Sequence, residues 1–65
     1  MNKLKGYRNM ANATQEDFAN LLGVTRQAYI LKENGIISIK DKEKVKIRDY
    51  LRSKNINVTI EELFF

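Results

Sequence analysis

Three consecutive polar residues, Thr25, Arg26 and Gln27, have side chains suited to recognising the edges of nucleic-acid bases. A guanidinium can donate two hydrogen bonds to guanine, and a carboxamide can pair in the same bidentate way with adenine. Groups for catalysis are scarce, because the chain contains no Cys and no His. It therefore lacks a thiol nucleophile, a Cys/His metal site and the usual general base at neutral pH. We expect recognition rather than an enzyme, with no cofactor and no metal.

Length and charge further restrict the kinds of protein that this chain can be. The 65 residues are expected to form one domain, 1–65, which buries only roughly 60% of its unfolded surface. The net charge of +4 favours an anionic partner. The longest apolar runs are a few residues, so we expect no membrane span, no signal peptide and a cytoplasmic location. No small-molecule ligand is evident.

Five helices are predicted to position these side chains, at about 2–11, 15–22, 26–33, 41–54 and 60–64. Thr14, Thr25 and Thr59 suit the N-cap positions, and Gly23 and Gly35 suit left-handed helix ends. The S-x-x-D stretch that ends at Asp41 is predicted to cap the fourth helix. The carboxylates mostly alternate with basic residues, which is typical of solvated helix faces.

Apolar spacing predicts which faces are inward. Tyr29 is expected to anchor the third helix, which turns Leu31 outward. Lys32 is expected to pack its stem while its ammonium reaches water. The predicted inward sets are Leu4, Tyr7 and Met10 in the first helix; Phe18, Leu21 and Leu22 in the second; Val45, Ile47, Tyr50 and Leu51 in the fourth; and Leu63 in the fifth.

The second and third predicted helices match the spacing of a helix-turn-helix. Counted from Gln15 as the first position, Ala19 is fifth, where two helices cross closely. Gly23 is ninth, in the turn, and Val24 is tenth, just after it. Tyr29 is fifteenth and anchors the second helix of the pair. All these requirements are met within one window of 22 residues.

That window, TQEDFANLLGVTRQAYILKENG, resembles the helix-turn-helix of lambdoid phage repressors and Cro proteins, the Xre-like regulators. The first helix, LKGYRNM, and the closing segment, NVTIEELFF, extend the resemblance more loosely over the chain. It looks in particular like the short single-domain regulators of prophages and mobile elements. The resemblance implies an all-α, lambda-repressor-like bundle of five helices, with the helix-turn-helix at about 15–33.

The resemblance also implies roles for individual residues. Thr25, Arg26 and Gln27 begin the helix that enters the major groove, 25–32, and position 31 lies one turn further along it. Gln15 and Asn34 are implied to contact phosphate, and Gln15 also to brace the reading helix. The implied function is sequence-specific transcriptional regulation, with a repressor expected. The implied partner is double-stranded DNA, bound by a homodimer on a twofold-symmetric operator.

Ile30 and Leu31 leave alternatives open, because polar residues are usual there in the family. Leu31 can contact a thymine methyl in the groove, pack on the loop residues Ile36 or Ile37, or bind a protein. For Ile30, packing on the loop is favoured, since small domains use every apolar side chain that they have.

Two further surfaces are candidates for binding. Lys40 and Lys42, at the start of the fourth helix, are expected to meet phosphates, although a simply solvated face explains them too. Phe64 and Phe65 are candidates for a dimer interface, with Phe65 the better one.

Two rival functions remain. The fold also suits a protein-interaction module, such as an antitoxin or an antagonist of another regulator, and the outward Ile30 and Leu31 fit that reading. Attachment of the fourth helix to an anionic membrane is a weaker rival, because its apolar face is needed for the core.

Overall fold

The computed structural model describes residues 3–65, which contain five α-helices and no strand. The helices are α1 (Leu4–Met10), α2 (Gln15–Leu22), α3 (Arg26–Glu33), α4 (Asp41–Ser53) and α5 (Ile60–Phe64). The predicted all-α fold is thus confirmed. The predicted start of the first helix, at Asn2, lies outside the described residues.

Threonine caps and left-handed residues set most helix ends. The Thr14 hydroxyl accepts from the Asp17 N–H at 3.0 Å, and the Asp17 carboxylate accepts from the Thr14 N–H at 2.8 Å. These backbone and side-chain bonds hold the pKa of Asp17 below its usual value. The same reciprocal arrangement, a capping box, is formed by Thr59 and Glu62 at the start of α5. Asn12 (φ 56°) adopts the left-handed conformation in the turn between α1 and α2.

The core lies between α2, α4 and the two terminal helices, with α3 packed on α2. Ala19 is almost fully buried, and its small side chain allows this close packing. The backbone N–H of Lys3 donates to the carbonyl of Leu63 at 2.9 Å, which ties the start of α1 to α5. The largest fully buried side chains of the core are Leu4, Phe18, Tyr29, Ile47, Leu51, Val58 and Leu63.

Two predicted inward residues face outward. Val45 is 38% exposed, because it lies about 160° around the helix axis from the buried Ile47. Met10 is largely exposed, since each three-residue step falls about 60° short of a full turn and two steps carry it off the face of Leu4. In both helices a charged residue, Glu43 or Arg8, takes an inward position instead.

The predicted cap of α4 is also wrong. Lys40, not Ser38, is the N-cap residue, and its N–H donates to the Glu43 carboxylate at 2.9 Å. The Ser38 carbonyl instead accepts a hydrogen bond from Lys32 Nζ at 3.3 Å. The connection 36–40 runs between α3 and α4 without regular secondary structure.

Candidate nucleic-acid interface

The turn between α2 and α3 presents the first turn of α3 at the surface. Gly23 ends α2 at φ 71°, a left-handed conformation that costs glycine little. Thr25 then caps α3, its hydroxyl accepting from the Ala28 N–H at 3.1 Å. Thr25, Arg26 and Gln27 are all exposed, as residues that contact another molecule must be.

Tyr29 fixes the rotation of α3 about its own axis. Its ring is fully buried and meets the Phe18 ring edge-on, with 5.8 Å between the ring centroids. Its hydroxyl donates to Glu33 Oε1 at 3.0 Å, and burial together with the nearby carboxylate raises the pKa of Tyr29. With Tyr29 inward, Gln27 and Leu31 face outward, and Leu31 is 36% exposed.

Glu33 is the centre of a buried polar network at the other end of α3. Its carboxylate accepts from Arg8 Nε at 2.7 Å, from Gln15 Nε2 at 2.9 Å and from the Tyr29 hydroxyl. Arg8 Nη1 also donates to the carbonyl of Ala13 at 2.8 Å. Burial alone would raise the pKa of Glu33, but these bonds outweigh it and lower that pKa.

Gln15 connects this network to the candidate base-reading residues. While its Nε2 donates to Glu33, its Oε1 lies 3.5 Å from Arg26 Nη2, the limit for a hydrogen bond. Gln15 thus touches both ends of α3 from the first turn of α2. The side chains of Arg8, Gln15 and Arg26 line an open cavity of about 580 Å³ beside this contact.

Lys32 does not reach water as predicted. Its side chain is buried, and Nζ donates to Glu43 Oε1 at 3.0 Å as well as to the Ser38 carbonyl. Desolvation would raise the pKa of Glu43, but the Lys40 N–H and the Lys32 ammonium lower it. This pair joins the last turn of α3 to the first turn of α4, so the intervening loop is held at both ends.

The candidate phosphate contacts lie in two places. Gln15 is half-buried in the network, whereas Asn34, Lys40 and Lys42 are exposed around the loop that follows α3. Because the Lys32–Glu43 pair positions that loop, it also positions Lys40 and Lys42 relative to α3. The structure thus groups three candidates beyond the C-terminal end of α3 and one at the N-terminus of α2.

Sequence reasoning missed both buried ion pairs, since it read Glu33 and Glu43 as members of solvated faces. The available signal was position. Glu33 lies one helical turn after Tyr29, and Glu43 one turn before Ile47, so both share the inward side of their helix. A charged residue at an inward position needs a partner, which Arg8 and Lys32 supply.

The candidate dimer residues differ in exposure. Phe64 is half-buried, whereas Phe65 is 83% exposed. Lys44 Nζ lies 5.6 Å from the ring centroid of Phe64 and 5.2 Å from that of Phe65, a cation–π arrangement with both.

Residues 3–65 include no helix long and apolar enough to cross a bilayer. Over the same residues, no group of three or more carboxylate, thiol or imidazole side chains is placed to hold a metal ion.

Comparison with known proteins identifies a close relative. An uncharacterized HTH-type transcriptional regulator of Methanocaldococcus jannaschii is 44% identical over 63 residues, which span 97% of this chain and 88% of the relative. No family model matches the chain, and no solved structure matches it.

Proposed function

The chain belongs to the HTH-type transcriptional regulators, and on that premise we propose that it is a sequence-specific DNA-binding repressor of the lambda-repressor-like, Xre/Cro type. Its segment 25–32 reads the major groove, and two copies bind a twofold-symmetric operator. The observation that carries the proposal is the orientation of α3. Its anchor, Tyr29, is fully buried, which leaves Arg26, Gln27 and Leu31 outward on the side that a groove would face.

Arg26 is the main reader of base identity in this proposal. Its guanidinium is exposed, and its one hydrogen bond within residues 3–65, to Gln15 at 3.5 Å, is long enough to be exchanged readily for base contacts. Bidentate bonding to guanine O6 and N7 then supplies discrimination at one base pair. Gln27 supplies the corresponding contact to adenine, and the Thr25 hydroxyl keeps a free proton to donate.

Phosphate contacts supply most of the affinity. Asn34, Lys40 and Lys42 approach the backbone beyond the end of α3, and Gln15 approaches it at the start of α2. Gln15 can do so without leaving Glu33, because its amide carries two N–H groups and Glu33 occupies one. Such contacts fix register and orientation, whereas base contacts fix the sequence.

Selection of bound sequences from a random duplex pool tests the proposal. We expect a consensus of two related half-sites, and we expect Arg26→Ala to lose about 1–3 kcal/mol on that consensus. Lys5→Ala, an exposed basic residue on α1, is the matched control for loss of a cation. A pool that yields no enriched sequence would overturn the proposal.

A protein-interaction module is the second candidate function, because Leu31, Ile36 and Ile37 are apolar and exposed. It predicts that Leu31→Ala weakens binding to a protein partner and leaves DNA affinity unchanged.

A further inference from the structure

Asn34 is the one asparagine of the sequence that is followed by glycine. It is the C-cap residue of α3, and its side chain is exposed. Asparagine is one of the chemically labile residues of proteins. Its side-chain amide is lost when the backbone nitrogen of the next residue attacks Cγ. Gly35 in that next position favours the attack, because glycine carries no side chain to hinder the five-membered ring that forms.

The surroundings of Gly35 leave room for that ring. Apart from its chain neighbours, nothing in residues 3–65 lies within 4 Å of the position that a Cβ on Gly35 would occupy. The Gly35 N–H donates to the Lys32 carbonyl at 3.2 Å, and the Ile36 N–H donates to the Leu31 carbonyl at 2.9 Å, which makes a Schellman motif. The nitrogen is therefore free to react when this cap opens, and fraying of a helix end is the least costly local opening. The same opening lets Asn34 rotate out of its present ψ of 0°, as ring closure requires.

We propose that Asn34 is a site of spontaneous deamidation, and that the reaction weakens DNA binding by this protein. The Gly35 nitrogen loses its proton to water or base and bonds to Cγ of Asn34, while the Cγ–Nδ2 bond breaks and the amide nitrogen takes up a proton and leaves as ammonia. Water then opens the resulting succinimide. Attack of water at Cγ gives aspartate, whereas attack at the main-chain carbonyl carbon gives isoaspartate. Nothing is oxidised or reduced, and water is the only co-reactant.

Either product changes the surface that follows α3. Asn34 is a proposed phosphate contact, and a carboxylate in its place repels phosphate. The new charge also lies at the C-terminal end of α3, where the helix dipole disfavours negative charge. Isoaspartate in addition lengthens the main chain by one methylene ahead of the loop that leads to Lys40 and Lys42. The proposal rests on the proposed function for the role of Asn34, and it adds a limit to the time for which one molecule keeps its full affinity.

Incubation of the folded protein without DNA, at neutral and at mildly alkaline pH, tests the chemistry. Samples are cleaved after lysine at mildly acidic pH, and mass spectrometry follows peptide 33–40, which contains Asn34, and peptide 55–65, which contains Asn55 and Asn57. Both control asparagines are exposed, but each precedes a β-branched residue.

We expect the mass gain of an amide converted to an acid to appear several-fold faster in peptide 33–40 than in peptide 55–65. The reaction should be faster at the higher pH, because the deprotonated nitrogen is the nucleophile. Asn34→Gln should abolish the change in peptide 33–40, since the longer side chain would have to close a six-membered ring. Equal rates in the two peptides, or an Asn34 that stays intact, would overturn the proposal.

Affinity for the selected consensus gives the second measurement. Asn34→Asp, which reproduces one product, should weaken binding by roughly tenfold or more, since each of two subunits brings a carboxylate to a phosphate. The loss should be similar on nonspecific duplexes, because phosphate contacts carry no sequence information. Asn57→Asp adds the same charge at an exposed position of the connection before α5, and it should cost far less. Equal losses for the two variants would overturn the proposal. An unmodified protein that binds no duplex would refute the proposed function but leave deamidation at Asn34 standing, because the incubation contains no DNA.

Discussion

Arg8 and Glu33, which are 25 positions apart in the sequence, form a buried ion pair in which Nε and Oε1 are 2.7 Å apart. The pair joins the first helix to the last turn of the candidate reading helix. Tyr29 and Gln15 bond the same carboxylate, so Glu33 collects contacts from α1, α2 and α3. The orientation of α3, on which the proposed base readout depends, is therefore held by this cluster as well as by apolar packing.

Removal of the Arg8 side chain should be strongly destabilising. Arg8→Met leaves the Glu33 carboxylate buried without its guanidinium, and breaking such a pair costs about 3–5 kcal/mol. We expect the free energy of unfolding in urea, followed by circular dichroism, to fall by about 3 kcal/mol. Lys5→Met, on the exposed side of α1, is the matched control and should change it by less than about 0.5 kcal/mol. Similar losses for the two variants would contradict a structural role for the Arg8–Glu33 pair.

The pair between Lys32 and Glu43 should show strong energetic coupling. A double-mutant cycle with Lys32→Met and Glu43→Gln removes the ion pair but keeps an oxygen to accept the Lys40 N–H. Because both side chains are buried, we expect a coupling energy of about 1–3 kcal/mol from urea unfolding. The corresponding cycle on Arg48 and Asp49, whose contact is exposed, should give less than about 1 kcal/mol. Equal couplings would show that burial of the Lys32–Glu43 pair has no energetic consequence.

Stability should be lost in acid. The pKa values of Glu33 and Glu43 lie below the ordinary 4.5, because the bonds to each carboxylate outweigh its desolvation. A carboxylate whose pKa is lower in the folded state than in the unfolded state stabilises the fold when the pH is above its unfolded-state pKa. That stabilisation is lost as the pH falls through its folded-state pKa. We expect the free energy of unfolding to decline below about pH 4.5. Glu43→Gln should make that decline shallower, whereas Glu61→Gln, at an exposed position of α5, should leave it as it is.

Helix ends were predictable where local chemistry decides them. The first residues of α2, α3 and α5 follow from Thr14, Thr25 and Thr59, because a threonine cap depends only on residues two or three positions away. α4 lacks such a cap residue. Glu43, one turn inside the helix, accepts from the N–H of the N-cap residue Lys40, whereas the S-x-x-D pattern pointed to Ser38 as the cap.

The buried ion pairs were not predictable in the same way. An assignment of every charge to water places the Lys32 ammonium and the Glu43 carboxylate in solvent, although Glu43 shares the inward side of its helix with Ile47. Their burial depends on a partner from another helix, and the distance between helices is a property of the folded chain. At the candidate site too, some features were predictable from the sequence and others were not. The exposure of Arg26, Gln27 and Leu31 follows from Tyr29 as anchor, whereas the contacts of Gln15 with Glu33 and Arg26 required the structure.

Leu31 should read one base pair of each half-site. Loss of its contact with a thymine methyl in Leu31→Ala should relax the preference at a single position while nonspecific affinity stays the same. Binding to a panel of duplexes, each with one base pair changed, measures this. Met10→Ala removes an exposed apolar side chain on α1 and should leave every preference intact. If Leu31→Ala bound every duplex of the panel with unchanged affinity, a role for this residue in protein interaction would be favoured instead.

Binding to the operator should weaken steeply with salt. If each subunit of a dimer neutralises about four phosphates, the slope of log K against log salt concentration is near −7. Lys42→Gln should make that slope less negative by about 2, because two lysines are lost per dimer and each releases about one counterion. Lys54→Gln is the matched control, since it removes the lysine at the C-cap of the same helix, about 18 Å from Lys42 along the helix axis. A slope near zero on any duplex would contradict the electrostatic contribution of the proposed phosphate contacts, and equal slopes for the two variants would remove Lys42 from them.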